Sequence, residues 1–259
     1  MQTYRLQNSK GLFIVGDLTQ PKGGIRGTCV LQHGWSGTRK HTTVQAIQEG
    51  FLQGGFQVFN FDTTHSFGES DGDFEQSTLG LHTEDLFDVV EWVRDQDWHQ
   101  GKLALAGHSK GGYAVCAYAE EHPDEIDYIV AVAPVISGEL SFEVHKKRDR
   151  NAFENWQKTG LVEQISRSGY VKRKHWFQME ERLNHDLMKN IHQLTMPLHI
   201  IVGSEDNSCP VEHQAIFYNA LPHQENKKLS IIEGAPHSFY EKDEMRQCSD
   251  IILKWLTEK

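Results

Sequence analysis

Short apolar runs rich in strand-forming residues alternate along this chain with longer amphipathic runs. Such alternation is typical of strand–helix–strand units, which build a mostly parallel sheet with helices on its faces. The sequence therefore predicts an α/β fold with an eight-stranded sheet. The predicted strands cover residues 3–6, 12–18, 28–32, 57–62, 103–107, 126–133, 198–203 and 228–233, and the predicted helices cover residues 43–53, 80–94, 111–121, 211–220 and 241–257.

Residues 137–196 interrupt this alternation after the sixth predicted strand. The segment is too long for an ordinary crossover, and we interpret it as a mostly helical insertion within a single domain of residues 1–259. It holds 11 Lys or Arg residues against 8 Asp or Glu residues, although the whole chain has a formal net charge of −10. We therefore expect a basic flap over an acidic body. The flap carries six large aromatic side chains: Phe142, Phe153, Trp156, Tyr170, Trp176 and Phe177.

Two interpretations of the flap remain open. In the first, its aromatic side chains form an apolar slot for an acyl group, and its basic clusters at residues 145–150 and 172–174 attract an anionic substrate. In the second, the aromatic side chains pack the flap against the body and the cations pair with acidic residues there.

Composition limits the class of partner. The negative net charge argues against nucleic acid or an anionic membrane, because both bind a cationic face. The chain begins with no apolar run like the core of a signal peptide and has no run of about 18 apolar residues, so we expect a soluble cytoplasmic protein. The cysteines lie far apart and form no CxxC pair, which predicts reduced thiols. The oligomeric state is left open.

A G-x-S-x-G pattern at residues 107–111 lies between a predicted strand and a predicted helix. In that context the pattern is typical of a nucleophile elbow, a sharp turn that presents a serine hydroxyl at the start of a helix. Gly107 and Gly111 are expected because side chains there would collide with neighbouring backbone. The pattern predicts Ser109 as a nucleophile, and the alternative is an ordinary glycine-rich turn.

A serine nucleophile needs a base, and the base needs an orienting acid. The strand at residues 198–203 ends just before two carboxylates, of which Asp206 is our choice for the acid and Glu205 the alternative. The last strand leads into a Gly-Pro loop that presents His237, our choice for the base. The chain order Ser, Asp, His fits this class of site. His108 is a poorer candidate, because the turn directs the neighbours of Ser109 away from it.

Two backbone N–H groups are expected to form an oxyanion hole. One belongs to Lys110, directly after the nucleophile. The other belongs to Trp35, which follows a strand that ends in His33-Gly34, although this pair is also compatible with a turn that binds no ligand. The histidines show no HExxH or comparable ligand spacing, so no metal is predicted, and the expected chemistry needs no cofactor.

Four short motifs together resemble those of the α/β-hydrolase superfamily. They are HGWSG at residues 33–37, GHSKGG at 107–112, VGSED at 202–206 and GAPHSF at 234–239. The resemblance covers nearly the whole chain. It is strongest to compact serine carboxylesterases of the cinnamoyl or feruloyl esterase type and to the catalytic domains of acylaminoacyl peptidases.

This resemblance implies an α/β-hydrolase fold whose small helical cap is the insertion after the sixth strand. It also implies that Asp62 braces nearby loops rather than joining the catalytic residues. The sequence departs from the superfamily pattern at Lys110, where many relatives carry an uncharged residue, and at residues 64–66, where Thr-His-Ser replaces Arg-Gly-His.

The sequence thus predicts a serine hydrolase that cleaves carboxylic esters of small, aryl or short-acyl substrates through an acyl-enzyme on Ser109. The expected partner is a small-molecule acyl substrate. Cleavage of an aminoacyl amide, a peptide or a thioester would use the same side chains and stays an alternative. A non-catalytic binding module is a further alternative, although such a module would typically have lost one of the three residues.

Overall fold

A mixed β-sheet runs through the protein in the computed structural model, which describes residues 1–166 and 169–259. Within these residues the sheet has eight strands in the order β1-β2-β4-β3-β5-β6-β9-β10. β2 pairs antiparallel with β1 and with β4, and the other neighbours are parallel. These strands are β1 Gln2–Gln7, β2 Phe13–Thr19, β3 Gly27–Gln32, β4 Phe56–Asp62, β5 Lys102–His108, β6 Tyr128–Val132, β9 Leu198–Gly203 and β10 Lys227–Ile232.

Helices cover both faces of this sheet. Helices α1 and α8 pack on one face, and α2, α3 and α7 pack on the other. The parallel strands are buried on both faces, because successive side chains point to opposite sides of a sheet. In β5, for example, Leu105 faces the α2/α3 side and Ala106 faces the α1/α8 side. These helices are α1 Thr42–Gln53, α2 Leu79–Arg94, α3 Lys110–Glu121, α7 Val211–Ala220 and α8 Lys242–Thr257.

The predicted α/β fold is confirmed, including its eight-stranded, mostly parallel sheet. Each predicted strand and helix of the body corresponds to an observed element, and the bounds differ by a few residues. All four cysteines fall in the described part of the chain, where each is a buried free thiol.

The segment between β6 and β9 differs from the prediction of a mostly helical insertion. Besides its helices it contains an antiparallel hairpin, β7 with β8. Both strands are short and largely exposed. β7 has the sequence LVEQI and β8 the sequence VKRKH, and neither shows the alternation of apolar and polar residues by which a strand is recognised in sequence. Arg167 and Ser168 of the predicted insertion lie outside the described residues. The described elements are α4 Gly138–Arg148, α5 Arg150–Thr159, β7 Leu161–Ile165, β8 Val171–His175 and α6 Phe177–Arg182.

This segment has a small apolar core of its own. Phe153, Trp156 and Met179 are buried in it, and the rings of Phe142 and Trp176 pack against them. Most of the predicted aromatic side chains therefore hold the segment together.

The segment is also attached to the body by hydrogen bonds. Glu181 of α6 accepts from the backbone N–H groups of Leu79 and Gly80, both at 2.9 Å, and so caps the start of α2. Gln178 donates to the Ser77 carbonyl at 3.0 Å. A carboxylate at a helix N-terminus is electrostatically favourable, because the helix dipole is positive there.

Asp62, at the end of β4, lies in a buried network that fixes two loops. Its Oδ1 accepts from the backbone N–H of Arg39 at 2.7 Å, and its Oδ2 accepts from the Arg39 guanidinium and from the Glu69 N–H. Arg39 is only 3% exposed and also donates to Asp17 at 2.7 Å. Asp62 thus braces loops, as the family resemblance implies.

Glu120 of α3 is a largely buried carboxyl whose pKa makes the stability of the fold depend on pH. Burial raises the pKa of its carboxyl to about 8, with further contributions from Asp186 and Glu121. Among the described residues its Oε1 is buried without a hydrogen-bond partner. A raised pKa means that the folded protein holds a proton that the unfolded chain has released. Stability should therefore fall as the pH rises from about 4.3, the ordinary pKa of glutamate, to about 8.

We expect Glu120→Gln to raise the free energy of unfolding at pH 9 on the order of 1 kcal/mol, a value that allows for solvent screening. This gain should shrink towards pH 5, where the wild-type carboxyl is protonated. Urea unfolding at both pH values measures the gain, with the exposed Glu233→Gln as the control. A gain that did not change with pH would contradict the prediction.

Candidate active site

Ser109 lies on a strained turn between β5 and α3. Its backbone has φ 56° and ψ −113°, a conformation that residues with a side chain rarely adopt. A Cβ added to Gly107 would lie 2.2 Å from the Gly111 carbonyl oxygen, and one added to Gly111 would lie 2.5 Å from the Gln32 carbonyl oxygen. Both glycines are therefore required by close backbone contacts, as the elbow pattern predicts.

Hydrogen bonds from neighbouring elements hold the turn in place. The Ser109 N–H donates to the Val132 carbonyl of β6 at 2.9 Å. The Ser109 carbonyl accepts from the N–H groups of Tyr113 at 3.0 Å and Val135 at 3.2 Å. The residue is only 8% exposed, yet it lines a large cavity. The surrounding structure thus compensates for the strained backbone at this position.

The three side chains predicted as nucleophile, base and acid form one line of hydrogen bonds. His237 Nδ1 lies 2.7 Å from Asp206 Oδ2, and His237 Nε2 lies 3.0 Å from Ser109 Oγ. A carboxylate can only accept, so Nδ1 carries the proton, which leaves Nε2 to accept from the serine hydroxyl. The structure therefore brings together residues that are 128 positions apart in the chain.

Asp206 is held by three hydrogen bonds. Its Oδ1 accepts from the N–H groups of Ser208 and Cys209, both at 2.8 Å, and its Oδ2 accepts from His237. Burial alone would raise the pKa of Asp206, but these hydrogen bonds and the interaction with His237 hold it below its ordinary value. Glu205 is exposed. The geometry therefore places Asp206 rather than Glu205 next to the histidine.

The two predicted oxyanion donors lie beside Ser109. Lys110 is the first residue of α3, and the first N–H groups of a helix have no intrahelical acceptor. The loop that carries Trp35 approaches closely, because a Cβ added to Gly34 would lie 3.0 Å from the Ser109 Cβ. The Lys110 Nζ lies 4.7 Å from the centroid of the Trp35 ring.

His108 has a position that the sequence did not suggest. Its Nε2 lies 2.8 Å from the His237 carbonyl, and its ring centroid lies 4.8 Å from that of His237. A carbonyl accepts, so His108 Nε2 carries the proton. Burial, with the His237 charge second, lowers the pKa of His108 well below its ordinary value. His108 is therefore a neutral donor that holds the His237 loop.

A cavity of about 880 Å³ opens above Ser109. The loops after β3 and β4 line one side, and the segment between β6 and β9 lines the other with Arg148, Lys172, Lys174 and Arg182. Arg148, Lys172 and Lys174 belong to the two basic clusters that the sequence analysis offered as attracting an anionic substrate, whereas Arg182 was not singled out there.

Within residues 1–166 and 169–259, no group of three or more His, Cys, Asp or Glu side chains is placed to hold a metal ion. Within the same residues, none of the helices combines the length and apolar character that crossing a membrane requires.

The family model described as the prolyl oligopeptidase family, Peptidase_S9, matches residues 73–259. The matched part contains Ser109, Asp206 and His237. This chain belongs to the prolyl oligopeptidase family. Because this is a family of hydrolases, the predicted hydrolase class is confirmed at that level.

Curated relatives match shorter parts of the chain. An uncharacterized 31.7 kDa protein in the traX-finO intergenic region of Escherichia coli is 31% identical over 103 residues, which are 39% of this chain and 35% of that protein. The palmitoyl-protein thioesterase ABHD10, mitochondrial, of Bos taurus is 24% identical over 183 residues, which are 68% of this chain and 56% of that protein. The chain thus spans about a third of the first relative's length and about half of the second's.

Solved structures show the same architecture over the whole chain. The structure of Est1E from Butyrivibrio proteoclasticus with ferulic acid bound has a TM-score of 0.79 and 20% identity, and the match covers 98% of both chains. At this identity the likeness shows the fold alone. It confirms the predicted α/β-hydrolase fold.

The close contacts at Gly107 lead to a prediction about stability. Gly107→Ala would push a methyl group into the backbone of Gly111, and we expect it to lower the free energy of unfolding by about 2 kcal/mol or more. Gly24→Ala is the matched control, because a Cβ there meets no atom within 4 Å. Urea unfolding of the two variants measures the difference, and equal stabilities would contradict the prediction.

Proposed function

We propose that this member of the prolyl oligopeptidase family is a serine hydrolase that cleaves carboxylic esters through an acyl-enzyme on Ser109. The observation that carries the proposal is the continuous line of hydrogen bonds from Ser109 through His237 to Asp206. A nucleophile, a base within 3.0 Å and an acid that orients the base are the parts that this chemistry requires.

In the first half-reaction, His237 Nε2 removes the hydroxyl proton of Ser109 as its Oγ attacks the acyl carbonyl carbon. The tetrahedral oxyanion accepts hydrogen bonds from the N–H groups of Trp35 and Lys110 at the start of α3. When the carbon–oxygen bond to the alcohol breaks, His237 gives its proton to the leaving oxygen. The acyl group remains on Ser109.

In the second half-reaction, water attacks the acyl-enzyme while His237 takes a proton from it. Collapse of the second tetrahedral intermediate releases the carboxylic acid and returns the proton to Ser109. Throughout, Asp206 stays ionised, because its lowered pKa keeps the charge that stabilises the imidazolium. The cavity of about 880 Å³ is in the size range of small-molecule sites, which supports a small acyl substrate.

Two comparisons favour related substrates. The family match favours cleavage of an amide or peptide bond, and the similarity to ABHD10, named as a palmitoyl-protein thioesterase, favours a thioester. We place esters ahead of amides on chemical grounds, because an alkoxide leaves more readily than an amide nitrogen, and rates on matched substrates rank esters against thioesters. A competent site of this geometry would therefore hydrolyse an activated ester whatever its natural substrate.

The first test is labelling of the nucleophile. A fluorophosphonate probe should modify the peptide that contains Ser109, as mass spectrometry of digested protein would show. Ser109→Ala should lose the label and on the order of 10⁴-fold or more in kcat on p-nitrophenyl butyrate. Ser249→Ala, which removes a buried hydroxyl within α8, is the matched control and should keep both. Activity in Ser109→Ala close to that of the wild type would refute the proposal.

A second test separates the three bond types. Esters, thioesters and p-nitroanilides that share one butyryl group should be compared by kcat/KM on the wild-type protein. We expect the ester to exceed the anilide by at least about tenfold, because its leaving group departs more readily. An anilide rate equal to or above the ester rate would favour the amidase alternative, and a dominant thioester rate would favour the thioesterase.

A further inference from the structure

Three cationic side chains surround one aromatic ring in the cavity. The Lys110 Nζ lies 4.7 Å, the Lys174 Nζ 5.1 Å and the Arg182 Cζ 5.7 Å from the centroid of the Trp35 ring. We call these four residues the Trp35 cluster. Its cations come from three separate elements, α3, β8 and α6, so the cluster forms only when the segment between β6 and β9 packs over the elbow.

The cations of the Trp35 cluster lack negatively charged partners. In the part of the chain that the structure describes, none of the three forms an ion pair. Lys110 Nζ and Arg182 Nε are buried there without any hydrogen-bond partner. Arg182 donates to the Ser141 hydroxyl at 2.8 Å, and Lys174 donates to the Gln164 side chain at 2.5 Å. Neither of these acceptors carries a charge.

The nearby carboxylates are already used. The charge of Glu181 acts on both Lys110 and Arg182, but Glu181 accepts from the Leu79 and Gly80 N–H groups and from His185. On the other side of the cavity, Asp62 and Glu69 are bound by Arg39. Positive charge in the Trp35 cluster is therefore not compensated by the protein.

Such a cluster is unfavourable in the unliganded protein. Burial, followed by the charge of Arg182, lowers the pKa of Lys110 well below its ordinary value. Burial, with the charges of Lys172 and Arg148 next, lowers the pKa of Lys174 to about 7. Asp149 and Glu163 line an adjoining pocket that Trp35, Lys174 and Arg182 also line. Asp149 caps α5 and Glu163 pairs with Arg173, so both carboxylates are engaged elsewhere. A bound anion would supply the missing partner.

We propose that the Trp35 cluster binds a carboxylate at the far end of the acyl portion of the substrate. The inference rests on the proposed function, because the proposed reaction decides which half of the ester, the acyl half or the alcohol half, meets the cluster. The leaving oxygen must lie against His237 to receive the proton that His237 carries. The three cations of the cluster instead surround the ring of Trp35, whose backbone N–H is the expected oxyanion donor. The acyl chain is the half that reaches the cluster, and the substrate class is a half-ester of a short dicarboxylic acid.

The first experiment compares charged and neutral esters of equal length on the wild-type protein. We expect kcat/KM for p-nitrophenyl hydrogen glutarate to exceed that for p-nitrophenyl valerate by about tenfold or more, and the excess to fall with added salt. A second pair carries the charge on the alcohol half, the butyrate ester of 4-hydroxybenzoate against phenyl butyrate. Equal rates for the first pair, or a larger preference for the anion in the second, would overturn the proposal.

Variants test whether the cluster causes this preference. In Lys174→Met the ratio of the glutarate rate to the valerate rate should fall by about tenfold, because one charge partner is lost. Lys158→Met removes a lysine of the same segment that does not line the cavity, and its ratio should stay at the wild-type value. If both variants keep the wild-type ratio, the cluster does not bind the carboxylate.

Lys110→Met separates binding from structure. Replacing a buried, unpartnered amine by an apolar side chain of similar length should raise the free energy of unfolding. The same variant should lose the preference for the glutarate ester. A more stable variant with an unchanged preference would mean that Lys110 is a purely structural cation, and the proposal would fail.

A binding measurement distinguishes failure of this inference from failure of the proposed function. Calorimetry with Ser109→Ala, which cannot be acylated, should detect p-nitrophenyl hydrogen glutarate but not p-nitrophenyl valerate at the same concentration. If that binding is seen while the wild type reacts with neither the fluorophosphonate nor any ester, the anion site stands and the hydrolase proposal fails. If neutral esters are hydrolysed but the binding is absent, only the anion site is wrong.

Discussion

The strained backbone at Ser109 is the constraint on which the site depends. A positive φ at a residue with a side chain persists only where the surroundings enforce it, and here they are β6, the next turn of α3 and two glycines without room for a Cβ. The turn occurs at the carboxyl edge of a parallel sheet, where other strands also end. β9 leads to Asp206 and the last strand leads to His237, so residues distant in sequence meet at one edge.

The order of interactions behind Ser109 explains why one histidine and one carboxylate out of many come into line with its hydroxyl. His237 is held from two directions, by Asp206 at its Nδ1 and by His108 at its backbone carbonyl. Asp206 is in turn fixed by two backbone N–H groups of the loop that follows it. Glu205 has the same chemistry but faces solvent, so its orientation is not fixed. Position within the hydrogen-bond network, rather than residue type, selects the partner.

The sheet, the elbow and the choice of Ser109, Asp206 and His237 could be predicted from the sequence, because each follows from a short stretch of residues. Gly107 and Gly111 are dictated by backbone contacts, and Asp206 and His237 follow from the ends of recognisable strands. The β7/β8 hairpin was not predicted, since its strands are short and largely exposed and a charged pair across them, Glu163 with Arg173, leaves no apolar alternation in the sequence. The Trp35 cluster was not predicted as a unit for a different reason. Its cations meet through the packing of three elements, which no spacing in the chain encodes.

The cations of the Trp35 cluster can be assigned to one of two negative charges, the oxyanion or a carboxylate of the substrate. Burial and the charge of Arg182 disfavour the protonated form of Lys110 in the unliganded protein, so a negative charge in the cavity is what stabilises its positive charge at the start of α3. Two negative charges in the cavity compete for such a cation, the oxyanion and the carboxylate of the substrate. Stabilisation of the oxyanion would accelerate neutral and anionic esters alike, since both form the same tetrahedral intermediate. Recognition of a substrate carboxylate changes the ratio between them, because the interaction exists for one class alone. The ratio of rates therefore identifies which negative charge the cations serve.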